Sequence, residues 1–227
     1  MSIKVLYEDN HLLVLNKPSG LLVHGDQTGD KTLLDWGKYY IKKKYNKPGD
    51  VFLGVTHRLD RPASGVVILA RTSKALARIN NLIKNRQIEK KYFAISEGKP
   101  PYSAGSLVHY LIKNRGKNKV QAFDKPGPDR KKAELDYRVI GQLQDLRLFE
   151  IELRTGRSHQ IRVQLSSLDC PIIGDLKYGY PKAIADKSIA LHCAEMSFIH
   201  PVKKEVVRIQ SSPKNIHPWN IFWEFFR

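Results

Sequence analysis

Two short stretches of the chain concentrate side chains that could do chemistry. The first is His57-Arg58-Leu59-Asp60-Arg61-Pro62-Ala63-Ser64-Gly65, where one carboxylate sits among two arginines and a histidine. A carboxylate flanked by cations is favoured in its charged form and can act as a nucleophile or base. The same pattern also describes an ion-paired turn without any reaction, because structural charge networks are common. The second stretch is Thr155-Gly156-Arg157-Ser158-His159-Gln160-Ile161-Arg162. It places two arginines and a histidine near a helix start, which suits a phosphate group or simply a polar helix end. Neither stretch has the spacing of a metal site, and none is expected. Cys170 and Cys193 stand apart from each other and from any ligand pattern, as reduced, buried thiols would.

These residues need elements to hold them. Val51–Val55 and Gly65–Ala70 are short, apolar and rich in β-branched residues, so the first stretch is expected to lie between two buried strands. Pro62 biases Arg61 away from the helical region, and Ser64-Gly65 supplies turn chemistry. In the second stretch Thr155-Gly156 marks a strand-to-helix turn. Ser158 to Leu165 is expected to be helical, with Ile161 and Leu165 on one inward face.

The remaining chain reads as alternating strands and helices. Ile3–Tyr7 and Leu12–Leu15 suggest a hairpin, followed by the turn Asn16-Lys17-Pro18-Ser19-Gly20 and a short strand Leu21–His24. The spacing predicts a helix over 32–45, closed by Lys42-Lys43-Lys44 where cations suit the helix dipole. A second helix follows the cap residue Thr72, with Ala75, Leu76, Ile79, Leu82 and Ile83 as its apolar stripe. Glu89–Gly98 alternates as a strand and carries Tyr92. Residues 100–132 look least orderly, with Pro and Gly punctuation, a hairpin over 108–112 and 120–123, and cations at Lys113, Arg115, Lys117, Lys119, Lys125, Arg130, Lys131 and Lys132. Residues 133–140 and 146–153 read as paired strands, and residues 216–226 as a packed terminal helix.

Composition limits the partners. The 227 residues can bury a sizeable core, as one large domain or two lobes. No apolar run is long enough to span a membrane, and Met1-Ser2-Ile3-Lys4 lacks the pattern of a secretory signal. A cytoplasmic protein with no membrane role is expected. The net charge of +17 far exceeds the magnitude of about 2–8 that solubility calls for. It implies a polyanionic partner, most simply nucleic acid. The basic loops with few aromatics suit phosphate contact more than base readout.

Taken in order, the motifs resemble the RluA-type pseudouridine synthases. His57-Arg58-Leu59-Asp60 with Ser64-Gly65 is similar to that family's catalytic signature. Asn16-Lys17-Pro18-Ser19-Gly20 with Leu21–His24 resembles its first motif, Lys90 to Gly98 its tyrosine strand, and Thr155–Arg162 its second strong motif. Pro171-Ile172-Ile173-Gly174-Asp175 with Tyr178-Gly179 resembles the segment that follows. The resemblance implies an α+β fold, with a mostly antiparallel sheet, flanking helices and two lobes around a catalytic cleft. It implies a single catalytic domain over residues 1–227, with no separate N-terminal RNA-binding domain, acting as a monomer on ribosomal or transfer RNA without a cofactor. Asp60 would be the catalytic nucleophile, Tyr92 would stack on the base, and Arg162 would pair with Asp60. Arg58, Arg157 and His159 would bind substrate, and a uridine in paired RNA would have to be flipped out. Lys17, Pro18 and the Pro171–Gly179 segment would be structural, and His192 a satisfied core histidine. Three departures stand out: Ala63 where the family usually has Thr, Gln164 in place of a frequent His, and Asp169-Cys170 in place of a small pair. The competing reading is a non-catalytic RNA-binding or chaperone protein on the same fold. A DNA-binding role lacks any helix-turn-helix or finger signature.

Overall fold

The computed structural model describes residues 3–26, 29–114 and 116–227. Met1, Ser2 and the basic-run residue Arg115 lie outside the described residues. The chain divides into two compact units: residues 1–88 with 195–211, and residues 89–194 with 212–227. All strand ladders described below are antiparallel, and helices accompany them in both units, as the α+β expectation requires. None of the described helices is long and apolar enough to cross a membrane.

In the first unit, β1 (Val5–Glu8) pairs with β2 (Leu12–Lys17), and β2 pairs with the later strand Ser64–Ala70. The helix α1 (Leu33–Lys44) lies between them in sequence. Thr32 accepts a hydrogen bond from the Asp35 amide while Asp35 reaches back to the Thr32 amide, a capping box that fixes where the helix begins. Its buried residues are Leu33, Gly37 and Ile41, four apart on one face. A side chain at Gly37 would meet Leu53, Leu69 and Leu13, so the glycine sets how closely α1 approaches the strands. Strand β3 is only Gly54–Val55, and β4 is Ser64–Ala70. The expected strand over 51–55 is thus cut short: Phe52 is 49% exposed and Val51 only half-buried, so the apolar run does not all turn inward. By contrast Leu12–Leu15 and Val66–Ala70 are wholly buried, so both faces of those strands are covered. The helix α2 (Ser73–Lys84) starts at Thr72, whose hydroxyl accepts from the Ala75 amide.

In the second unit, β5 (Glu89–Glu97), β6 (Ala104–Asn114), β7 (Lys119–Phe123), β8 (Lys131–Leu143) and β9 (Leu146–Leu153) pair in the order β5-β9-β8-β6-β7. Residues 100–132 are therefore more orderly than their punctuation suggests. Pro100-Pro101 precede β6 and Pro126-Gly127-Pro128 separate β7 from β8, leaving the strand interiors free of proline, while Gly105 is taken into β6. The helix α3 (Gln160–Ser166) packs Val163 against Leu111, Val120, Ala133 and Tyr178. The strand β10 (Leu191–Ile199) spans the sequence boundary between the units. Its residues 195–199 pair with β11 (Val206–Gln210) in the first. The terminal segment Trp219–Phe226 forms short 3-10 turns broken by a kink at Phe222, where one helix over residues 216–226 is expected. It seats Phe226 against Phe93 and Trp219 against His192, which is buried as a core histidine should be. Both cysteines are buried, and neither is in a disulfide.

Candidate active site

Asp60 and Arg58 belong to the first unit, on the loop from β3 to β4. The loop is anchored at its start by Thr56, whose hydroxyl donates to the Ile68 carbonyl at 2.7 Å. His57 Nε2 accepts the Ile68 amide at 3.1 Å, so its lone pair is spent on the backbone and the ring serves as a strut. Leu59 and Ala63 are buried on either side of Asp60, which is half-buried, and the Ala63 amide closes a turn onto the Asp60 carbonyl. A larger side chain at the buried Ala63 position would need room there, a tangible meaning for the departure from Thr. Arg58 is exposed. It borders an open pocket of about 470 Å³ with Leu34, Leu53 and Val55 as apolar wall and His24, Thr56 and His57 as polar rim.

The second anchor of this loop is the turn after β2. Lys17 is fully buried, at 0% exposure, and its ammonium donates to the carbonyls of Pro18 at 2.9 Å, Leu21 at 2.8 Å and Arg61 at 3.2 Å. The Arg61 carbonyl also accepts the Gly20 amide, and Arg61 Nε donates to the Gly20 carbonyl. Arg61 thus ties the Asp60 loop to the Lys17 turn at three points, and its outer nitrogen adds an exposed ion pair to Asp30. Burial pushes the Lys17 ammonium down to about 7, with the Asp60 charge opposing that fall and Arg61 adding to it. An ammonium has three protons and three carbonyls receive them, so the geometry is built for the charged form. The turn is structural as expected, and its lysine is the interior brace of the loop.

Tyr92, Arg157, His159 and Arg162 belong to the second unit. Tyr92 is buried on β5 opposite Ile151. The Thr155–His159 loop is stapled to β8. Thr155 and Gln160 hydrogen-bond each other at 2.8 Å, and both engage the backbone of Glu134. Arg157 is exposed and donates through Nε to the Lys132 carbonyl. His159 caps α3 in the left-handed region, at φ 51°, so the helix begins at Gln160 and not at Ser158.

Arg162 is buried, and within its own unit it grips Asp175 in a fork, Nε to Oδ2 at 2.7 Å and a terminal nitrogen to Oδ1 at 2.8 Å. Asp175 is itself buried, and in the sequence nothing sets it apart from the structural segment around it. The glycine before it explains the pattern: at Gly174, with φ +85°, any side chain would strike the Ser188 carbonyl and Ile184. Tyr178 completes the cluster. Its ring lies 5.0 Å from the Arg162 guanidinium, its oxygen accepts the Val120 amide at 2.8 Å, and it sits 2.7 Å from His159 Nδ1. Accepting from Val120 leaves the hydroxyl proton for Nδ1, which favours a His159 with its own proton on Nε2. The Gly-Asp and Tyr-Gly pairs of residues 174–179 are the signal the sequence offers for this cluster; they do not say which cation Asp175 serves.

A family model described as RNA pseudouridylate synthase matches residues 11–167 of the chain. The ribosomal large subunit pseudouridine synthase D of Zymomonas mobilis is 34% identical over 215 residues, 90% of this chain and 67% of that protein. The ribosomal large subunit pseudouridine synthase C of Buchnera aphidicola is 36% identical over 206 residues, 87% of this chain and 63% of its own length. The chain thus spans about two thirds of the length of these curated relatives. Among solved structures, human RNA Pseudouridylate Synthase Domain Containing 4 superposes with a TM-score of 0.80 at 26% identity, covering 96% of this chain and 91% of that one.

Proposed function

The chain belongs to the RNA pseudouridylate synthase family, and from that premise we propose that it isomerises uridine to pseudouridine within RNA. The reaction breaks the bond between the sugar and uracil N1, turns the base and joins C5 to the sugar. The C5 proton is lost and N1 gains one, so atoms and electrons balance without a donor or cofactor. Asp60 attacks the sugar or captures it after elimination. Tyr92 stacks on the base, Arg162 is the cationic member of the catalytic set, and Arg58, Arg157 and His159 hold the RNA. One catalytic domain acts as a monomer, in the cytoplasm and away from membranes. The names of the two curated relatives favour large-subunit ribosomal RNA over transfer RNA as the substrate. The observation that carries this reading is the half-buried Asp60 on a loop braced from inside by Lys17.

The test is Asp60→Asn, which keeps the shape and removes the nucleophilic charge. Conversion of uridine in ribosomal RNA transcripts should vanish while RNA binding persists, since binding rests on cations. Turnover at a substantial fraction of wild type would remove Asp60 from its role. Mapping pseudouridine in ribosomal and transfer RNA from cells lacking the protein would assign the substrate.

A further inference from the structure

The outer face of α1 carries a feature that the proposed reaction does not use. Its last turns expose Lys38, Tyr39, Lys42 and Lys43, with Tyr45 and Lys47 just beyond. Tyr39 is 62% exposed, and the Lys43 ammonium sits 5.8 Å from its ring centre, one helical turn on. Beneath this face the side chains are closely tied. Trp36 and Tyr40 stack nearly parallel, 8° apart. Tyr40, Tyr45, Lys44 and Arg71 all converge on Glu8, whose side chain is 9% exposed. Burial would raise the Glu8 pKa, but the hydrogen bonds from Lys44, Tyr45 and Tyr40 outweigh it and hold the carboxylate below its usual value. The acid is therefore committed inward, and it neutralises only Lys44 or Arg71. Lys38, Lys42, Lys43 and Lys47 make no ion pair among the described residues.

The helix dipole accounts for cations in the last turn. It accounts neither for Lys38, nor for Lys47 beyond the helix end, nor for the exposed Tyr39 at the same place. Cations without acids beside an open aromatic ring are the chemistry of a single-stranded nucleic-acid platform: phosphates meet the ammonium groups, and a base stacks on the ring. We propose that the α1 face around Tyr39, Lys38, Lys42 and Lys43 is a second RNA-binding surface, which takes an unpaired stretch of the RNA substrate. This rests on RNA as the partner and adds a site to it. The surface works as an affinity handle: it holds RNA by sequence-tolerant stacking and charge, and it does not take part in isomerisation.

The experiment measures binding of the full chain to a labelled stem-loop RNA carrying a single-stranded tail, across a salt series, alongside uridine conversion at saturating RNA. Tyr39→Ala should weaken binding about 5- to 150-fold without altering the salt slope, the range expected for loss of one stacked base. Tyr39→Phe should bind as wild type. The triple variant Lys38→Gln, Lys42→Gln, Lys43→Gln should flatten the slope by about 2, at roughly 0.7–0.9 for each phosphate left without its cation. Removing the single-stranded tail should abolish both differences. All these side chains are exposed, so melting temperatures should stay at the wild-type value. Conversion at saturating RNA should be unchanged, because the handle acts before chemistry. Wild-type affinity and slope in both variants would overturn the proposal, as would a loss confined to binding of anionic phospholipid vesicles. If conversion is absent from every protein while Tyr39→Ala still weakens binding, the catalytic reading fails and this surface stands.

Discussion

Lys17 and Arg162, one in each unit, are both cations taken out of water, and they are accommodated in opposite ways. Arg162 meets a carboxylate, Asp175, through a two-pronged contact whose geometry matches both partners. Lys17 meets three backbone carbonyls within hydrogen-bond reach, and Asp60 enters only as a charge that opposes the fall in its pKa. The guanidinium stays charged through its own chemistry and its partner. The ammonium is left with its pKa lowered to about 7, because carbonyl dipoles replace water less completely than a counter-charge does. The difference suits what each braces. A forked ion pair sets the direction of a helix side chain, whereas a three-way ammonium gathers two loops around a point.

The largest effect should come from breaking the fork. Asp175→Ala leaves Arg162 buried without its carboxylate and should destabilise the protein by about 3–5 kcal/mol. Pairing Arg162→Met with Asp175→Leu should recover most of that stability while turnover stays lost. Chemical denaturation of Arg162→Met, Asp175→Leu and the double variant closes the cycle. A double variant as unstable as Asp175→Ala would mean that the fork is not the interaction being broken.

The next effect is on Lys17. Lys17→Met removes the donor to three carbonyls and should cost about 1–3 kcal/mol. The pH dependence separates it from any fault in packing. The folded pKa, about 7, lies below the ordinary lysine value of 10.5. Between those limits the unfolded chain binds the extra proton, so the Lys17 contribution to stability is complete above the unfolded value and is lost as pH falls through the folded one. Wild-type stability should gain this component as pH rises from neutrality, and Lys17→Met should lack it. Parallel curves for the two proteins over that range would show that Lys17 keeps an ordinary pKa.

The smallest effect tests how far the Arg162 cluster extends. Tyr178→Phe removes the oxygen shared by Val120 and His159 and should cost about 1 kcal/mol, the low end for a lost buried hydrogen bond. Nitrogen chemical shifts of His159 should report a change of tautomer balance in this variant. An unchanged imidazole would separate His159 from the hub.

Local patterns carried much of this protein. A short β-branched run marked β4, alternation marked β5, Thr32 and Thr72 marked helix starts, and Asp60, Tyr92 and Arg162 stood out because their neighbours spelled recognisable motifs. Capping, alternation and turn chemistry act over a few residues, so they are written in the chain itself. The partnerships were not written there. Lys17 looks like any turn lysine until Arg61, 44 residues on, brings its carbonyl to the ammonium. Asp175 looks like a turn residue until α3 lays Arg162 across it, and Tyr178 gains its role only where Val120 and His159 converge. Burial decides these cases. Whether a cation is solvated or must find a partner depends on what packs over it, and that is set by contacts between distant segments that no local spacing encodes.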